Sequence, residues 1–148
     1  MSNLPNLAPR DAGLTGDRLL RVLVVEDSRL NALVLTHMLV RCSCKLHCAM
    51  DGPEALECLR MNDYDLVLMD LEMPRLNGVE AAQAIRDGRV GPAARNVPIV
   101  AITAHTSELD KLRCMEAGMD GFVPRPFAPE TLAATIRTAL TARCAPAA

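Results

Sequence analysis

The sequence predicts an α/β protein built on a doubly wound, five-stranded parallel sheet, and three observations predict it. Apolar runs without alternation, such as "RVLVV" at 21–25 and "DLVLM" at 65–69, mark strands buried on both faces. These runs alternate with stretches of helical periodicity, so that a strand–helix unit repeats five times along the chain. Residues able to do chemistry collect just after the runs, at the carboxyl ends of the strands, where open sheets of this kind bind ligands.

Each element has its own justification. Residues 1–18 carry Pro5, Pro9, Gly13 and Gly16 without periodicity and read as a flexible arm; 19–144 form one domain, and 145–148 a short tail. After the first strand, "SRLNALVLTHMLVR" (28–41) is a helix with Ser28 as its cap. "KLHCAM" (45–50) is a weaker strand, and "PEALECLRM" (53–61) a helix with Pro53 in its first turn. The third strand ends at Asp70, and "GVEAAQAIRDG" (78–88) is the next helix. The loop "RVGPAARN" leads to the strand "PIVAIT" (98–103), then to "SELDKLRCMEAG" (107–118), a helix with a serine start and a glycine stop. "GFV" and "PETLAATIRTALTAR" (129–143) complete the fifth unit. For five such units the expected strand order is 2-1-3-4-5, with the reversal between the first and third strands.

Composition narrows the function. A chain of 148 residues is one domain with a real core. A net charge of −2, two Phe, one Tyr and no Trp argue against a nucleic-acid partner, which calls for a basic surface and stacking aromatics. No run approaches the ~20 apolar residues of a membrane helix, and the N-terminus lacks the order of a signal peptide. The expectation is a cytoplasmic protein without membrane contact. Six cysteines show no paired spacing of a secreted scaffold. The cluster His37, Cys42, Cys44, His47 and Cys48 matches no common zinc spacing and reads as small buried thiols beside a surface histidine.

The strand ends are more telling. Glu26 and Asp27 follow the first strand and Asp70 the third, so the three carboxylates meet at the reversal point. They would repel one another unless a cation joined them, and oxygen-only ligation suits a hard ion such as Mg²⁺. Thr103 and Arg125, after strands four and five, supply a hydroxyl donor and a cation for an incoming phosphoryl group. Asp70 could then act as nucleophile and form an acyl phosphate, with catalysis resting on positioning and charge neutralisation. Taken singly, each residue has a plainer role: acids at a helix N-terminus, a capping threonine, an arginine in a turn. Their joint placement points to phosphoryl chemistry.

"VLVVEDSRLN", "DLVLMDLEMPRLNGVEAAQAIR", "PIVAITAH" and "GFVPRPF" together resemble the receiver domain of two-component response regulators, over about residues 20–143. The loop "RDGRVGPAARNVPIVAITAH" looks most like receivers attached to hybrid histidine kinases. The resemblance implies a flavodoxin-like (βα)5 fold. It implies that Asp70 accepts a phosphoryl group from a histidine kinase or a histidine phosphotransfer protein. Mg²⁺ would be held by Asp27, Asp70 and the backbone carbonyl of Glu72, with Glu26 acting through water. Thr103 would bond the phosphoryl oxygen and shift, and Phe122 would turn inward with it. Output would pass to a downstream protein or along a relay, and the only reactions catalysed would be the protein's own phosphorylation and dephosphorylation. The sequence ends soon after the last helix, so no DNA-binding domain is expected, and a stand-alone receiver or one excised from a longer protein fits equally well. Glu72 and His105, two residues beyond Asp70 and Thr103, would flank the path of attacking water, so substituting either is expected to change the phosphate half-life.

The chain departs from that pattern at Arg125, where the family has lysine in a Lys–Pro pair whose bond is cis. The two cations are not interchangeable, which leaves an alternative: a protein-binding module whose output is independent of phosphorylation. A cis Arg125–Pro126 bond remains open, since X–Pro bonds reach cis readily. Phe122 lacks a hydroxyl, so any switch there works through packing. The first helix carries two apolar stripes, Leu30, Leu33, Val34 and Met38 on one side and Ala32, Leu35 and Leu39 on another. One stripe suffices for a core-facing helix, and the second is expected to be a docking surface for the partner's helix.

Overall fold

The apolar runs fold into five parallel strands, β1 (Leu20–Val25), β2 (Cys44–Ala49), β3 (Leu66–Asp70), β4 (Ile99–Thr103) and β5 (Gly121–Pro124), ordered β2-β1-β3-β4-β5. The computed structural model describes residues 19–39, 44–73, 76–104 and 107–144. The arm at 1–18, the tail at 145–148, Cys42 and His105 lie outside the described residues. The helices are α1 (Arg29–Leu39), α2 (Gly52–Met61), α3 (Gly78–Arg86), α4 (Glu108–Glu116) and α5 (Pro129–Cys144). Fold and strand order are those expected from the sequence.

Both faces of the central strands are covered, which is why their sequences do not alternate. Val22, Val24, Leu66, Leu68, Val100 and Ile102 pack against α1 and α5 through Leu35, Leu39, Leu132 and Ile136. Leu23, Val25, Val67, Met69, Ile99 and Ala101 point the other way, onto Ala55, Leu59, Ala81, Ile85 and Cys114 of α2, α3 and α4. Among the described residues β2 pairs only with β1 and is a half-exposed edge strand, which accounts for its weaker apolar character.

Local chemistry ends the helices where the sequence suggests. Ser28 Oγ accepts from the Asn31 N–H at 3.3 Å, and Ser107 Oγ from the Asp110 N–H at 3.1 Å. Gly118, just past α4, has φ +89°, a left-handed position that suits glycine. Asn77 and Glu80 form a capping box at the start of α3 that the sequence reading passed over. Behind that cap Gly78 has a positional task. A Cβ there would lie 2.5 Å from the Asp70 carbonyl oxygen, so only glycine lets α3 seat against the end of β3.

Two expectations need correction. Ala32, Leu35 and Leu39 are not a docking surface: they are buried, Leu35 to 2% exposure. The exposed apolar residues of α1 are Leu30, Leu33 and Val34, with Leu33 at 65%. Both stripes are equally apolar in sequence, and only the position of the sheet decides which is covered. The two described thiols of the Cys/His cluster are not buried either. Cys44 is half-buried and Cys48 exposed, because an edge strand has solvent along one side. His47 is exposed and contacts the Tyr64 hydroxyl. No described helix is long and apolar enough to cross a membrane.

Candidate functional site

The carboxyl ends of β1, β3, β4 and β5 bring Glu26, Asp70, Thr103 and Arg125 together. Glu26 follows β1, its N–H donating to the Ala49 carbonyl at 3.0 Å, and its side chain is 1% exposed. Its Oε2 accepts from the Ser28 N–H at 3.1 Å. Asp27 is the next residue and is exposed. Asp70 closes β3 at 4% exposure, and its Oδ1 accepts from the Glu72 N–H at 3.0 Å. One carboxylate oxygen from each of Glu26, Asp27 and Asp70 lies within 4.8 Å of the others. Among the described residues this is the one such cluster of potential metal ligands.

Thr103, fully buried at the end of β4, donates from Oγ1 to Glu72 Oε1 at 3.4 Å, so the Glu72 side chain lies beside the site. The Thr103 carbonyl accepts from the Arg125 N–H at 2.8 Å, which anchors the turn after β5. The Arg125–Pro126 bond is cis. Sequence reasoning placed Arg125 as a partner for an incoming phosphoryl group; here its Nη2 is bonded to Glu26 Oε1, with Nη1 3.8 Å from Asp70 Oδ1. No spacing rule could have announced that pair across 99 positions. Phe122 stands apart from the acids. It is half-buried against the α2–α4 side of the core, with the Lys111 ammonium 6.0 Å from its ring centre.

The electrostatics follow from crowding three acids at a buried junction. Burial pushes the Asp70 carboxyl up to about 7, helped by its hydrogen bond with Glu26 and that group's charge; the Glu72 N–H and Arg125 oppose the rise. Burial also raises Glu26, but the bond from Asp70, the Ser28 N–H and Arg125 outweigh it and leave Glu26 below its ordinary range. Asp27 is raised by desolvation and by its bond to Glu26. Without a cation, then, Asp70 is partly protonated near neutrality while Glu26 stays ionised. A hard, oxygen-only donor set under mutual repulsion fits a small divalent cation.

Known proteins share this sequence pattern and fold. The sequence profile of the response regulator receiver domain matches residues 22–137. The chain is 35% identical over 123 residues to hybrid signal transduction histidine kinase I of Dictyostelium discoideum, covering 80% of this chain but 7% of that long protein. It is 35% identical to response regulator MprA of a Mycobacterium species over 120 residues, 81% of this chain and 50% of MprA. Among solved structures, the receiver domain of sensor histidine kinase PA1611 from Pseudomonas aeruginosa, with magnesium coordinated in its active-site cleft, superposes with a TM-score of 0.75 at 30% identity. That match spans 83% of this chain and 98% of the solved one. On the profile match and on these relatives, the chain belongs to the receiver domain family of two-component response regulators.

Proposed function

We propose that Asp70 accepts a phosphoryl group from a phosphohistidine in a Mg²⁺-dependent reaction, and that the phosphorylated domain signals through protein contacts. The observation that carries this reading is the convergence of Glu26, Asp27, Asp70, Thr103 and Arg125 on one junction of the sheet. Asp27, Asp70 and the Glu72 carbonyl would hold Mg²⁺, with Glu26 acting through water. The bound ion would neutralise charge on the phosphoryl oxygens. An Asp70 carboxylate oxygen attacks phosphorus, the P–N bond to the donor imidazole breaks, and the departing ring takes up a proton. Thr103 donates to one phosphoryl oxygen and Arg125 faces another. Phe122 follows the shift of Thr103, which converts the adduct into a changed surface. The protein catalyses only this gain and loss of its own phosphoryl group, in the cytoplasm.

Intact-protein mass after incubation with acetyl phosphate tests the reading. A single phosphoryl adduct is expected with Mg²⁺, absent with EDTA and absent in Asp70→Asn. An adduct of equal yield in Asp70→Asn would place the acceptor elsewhere.

The histidine-bearing partner is proposed to dock on the exposed face of α1. Leu30, Leu33 and Val34 are exposed there. Beside them a groove of about 470 Å³, lined by Val34, Leu35, Met38, Ala104, Pro126 and Phe127, opens next to Arg125. Leu33→Glu is expected to slow transfer from a phosphohistidine donor by about tenfold or more, since a charge at an apolar hot spot is costly. Labelling by acetyl phosphate, too small to need the groove, should stay unchanged. Equal slowing with both donors, or with neither, would remove this face from the docking model.

A further inference from the structure

Arg125 is held where a metal-bound form of this site would need freedom. Glu26 is almost completely buried, and a buried carboxylate requires a partner or loses its charge. Arg125 supplies that partner through Nη2 while its Nη1 stands 3.8 Å from Asp70. One guanidinium therefore spans two of the three acids that form the candidate metal cluster. A lysine ammonium carries the same charge but lacks the planar fork that lets separate N–H groups face the two acids. The Arg125 backbone is fixed by its bond to Thr103, but the side chain is 22% exposed and lines the groove beside α1.

We propose that Arg125 is an internal competitor for the metal site: in the metal-free protein its guanidinium occupies Glu26, and a divalent cation must draw that carboxylate away from it. The proposal rests on the reading that Asp27, Asp70 and the Glu72 carbonyl hold Mg²⁺, with Glu26 acting through water. Its consequence is an ordered site. Arg125 stabilises the acids until metal arrives, and the displaced guanidinium is then free for the phosphoryl oxygens. The departure from lysine thus becomes a setting of metal affinity.

Calorimetric titration of Mg²⁺ into the full chain separates this from simple charge repulsion. Arg125→Lys keeps the net charge and removes the fork, so it is expected to bind Mg²⁺ about three- to tenfold more tightly than the parent. Arg137→Met, which removes a cation from the exposed face of α5, should change affinity by less than about twofold. Thermal unfolding gives a second readout. Arg125→Met is expected to melt below the parent in EDTA, because Glu26 loses its partner, and to gain more from Mg²⁺ than the parent does. Parent and Arg125→Lys agreeing within about twofold, with Mg²⁺ bound by both, would overturn the competition and leave the metal site standing. Neither heat nor a melting shift with Mg²⁺ in any of the proteins would overturn the metal reading, and this proposal with it.

Discussion

Asp70→Asn is expected to be more stable than the parent at pH 8 in EDTA, although the same change removes the proposed phosphoryl acceptor. The Asp70 carboxyl titrates near 7 in the fold, held up by burial and by Glu26, against an ordinary value of 3.8. Between those two values the folded chain binds a proton that the unfolded chain has released. Stability therefore falls as pH rises through that window, and above about pH 7 the whole penalty of an ionised Asp70 applies. At about 1.4 kcal/mol per unit, the ceiling of the effect is about 4 kcal/mol. An amide in that position forfeits part of this, so a gain of about 1–3 kcal/mol is expected. At about pH 3 and below, under both the folded and the ordinary value, the parent's Asp70 is mostly protonated in both states and the two proteins should differ little. Mg²⁺ at millimolar levels should raise the parent more than the variant and narrow the gap at pH 8. Urea denaturation at the two pH values checks this; a difference independent of pH would mean that carboxylate crowding is not what Asp70 endures.

That crowding was legible in the sequence because it depends only on where strands end. β1 from Val22 on, β3 and β4 are buried on both faces, so their residues form apolar runs, and the first polar residue to end each run marks the ligand edge of the sheet. Glu26, Asp27, Asp70 and Thr103 follow directly. What a chain does sideways was harder to read. The two stripes of α1 have similar apolar content, and Leu35 rather than Leu33 is covered because of where the sheet lies relative to the helix. The bond from Arg125 to Glu26 depends on side-chain reach across the gap between β1 and β5, which flank β3 and β4 in the sheet and are not neighbours. Periodicity reports what an element buries, and long polar side chains that cross between elements leave no period.

The same limit hid a heavily bonded side chain away from the site, and removing its ion-pair partner is expected to have a large effect on stability. Arg86, in the last turn of α3, donates from Nε to the Gly118 carbonyl at 2.9 Å, from Nη1 to the Arg95 carbonyl at 2.8 Å and from Nη2 to Asp120 Oδ2 at 2.9 Å. Asp120 Oδ2 also accepts from the Ile99 N–H at 2.9 Å, at the start of β4. One ion pair thus ties α3, the loop before β4 and the turn entering β5. With side-chain exposures of 15% and 10%, the pair is shielded well enough for truncation of one partner to strand the other. Asp120→Ala is expected to cost about 2–4 kcal/mol, below the full value for a completely buried pair because Arg86 keeps two carbonyl partners. Asp120→Asn should recover part of the loss, since an amide oxygen can still accept from Ile99. Because β4 delivers Thr103 at its far end, the folded fraction of Asp120→Ala should still take up a phosphoryl group from acetyl phosphate at low temperature, with its yield falling as the melting transition moves down. Urea midpoints for the two variants and for Arg86→Ala/Asp120→Ala decide the matter. A loss under about 1 kcal/mol in Asp120→Ala would show that the pair behaves as a solvated surface bridge, and that the α3–β4–β5 corner is held by apolar packing alone.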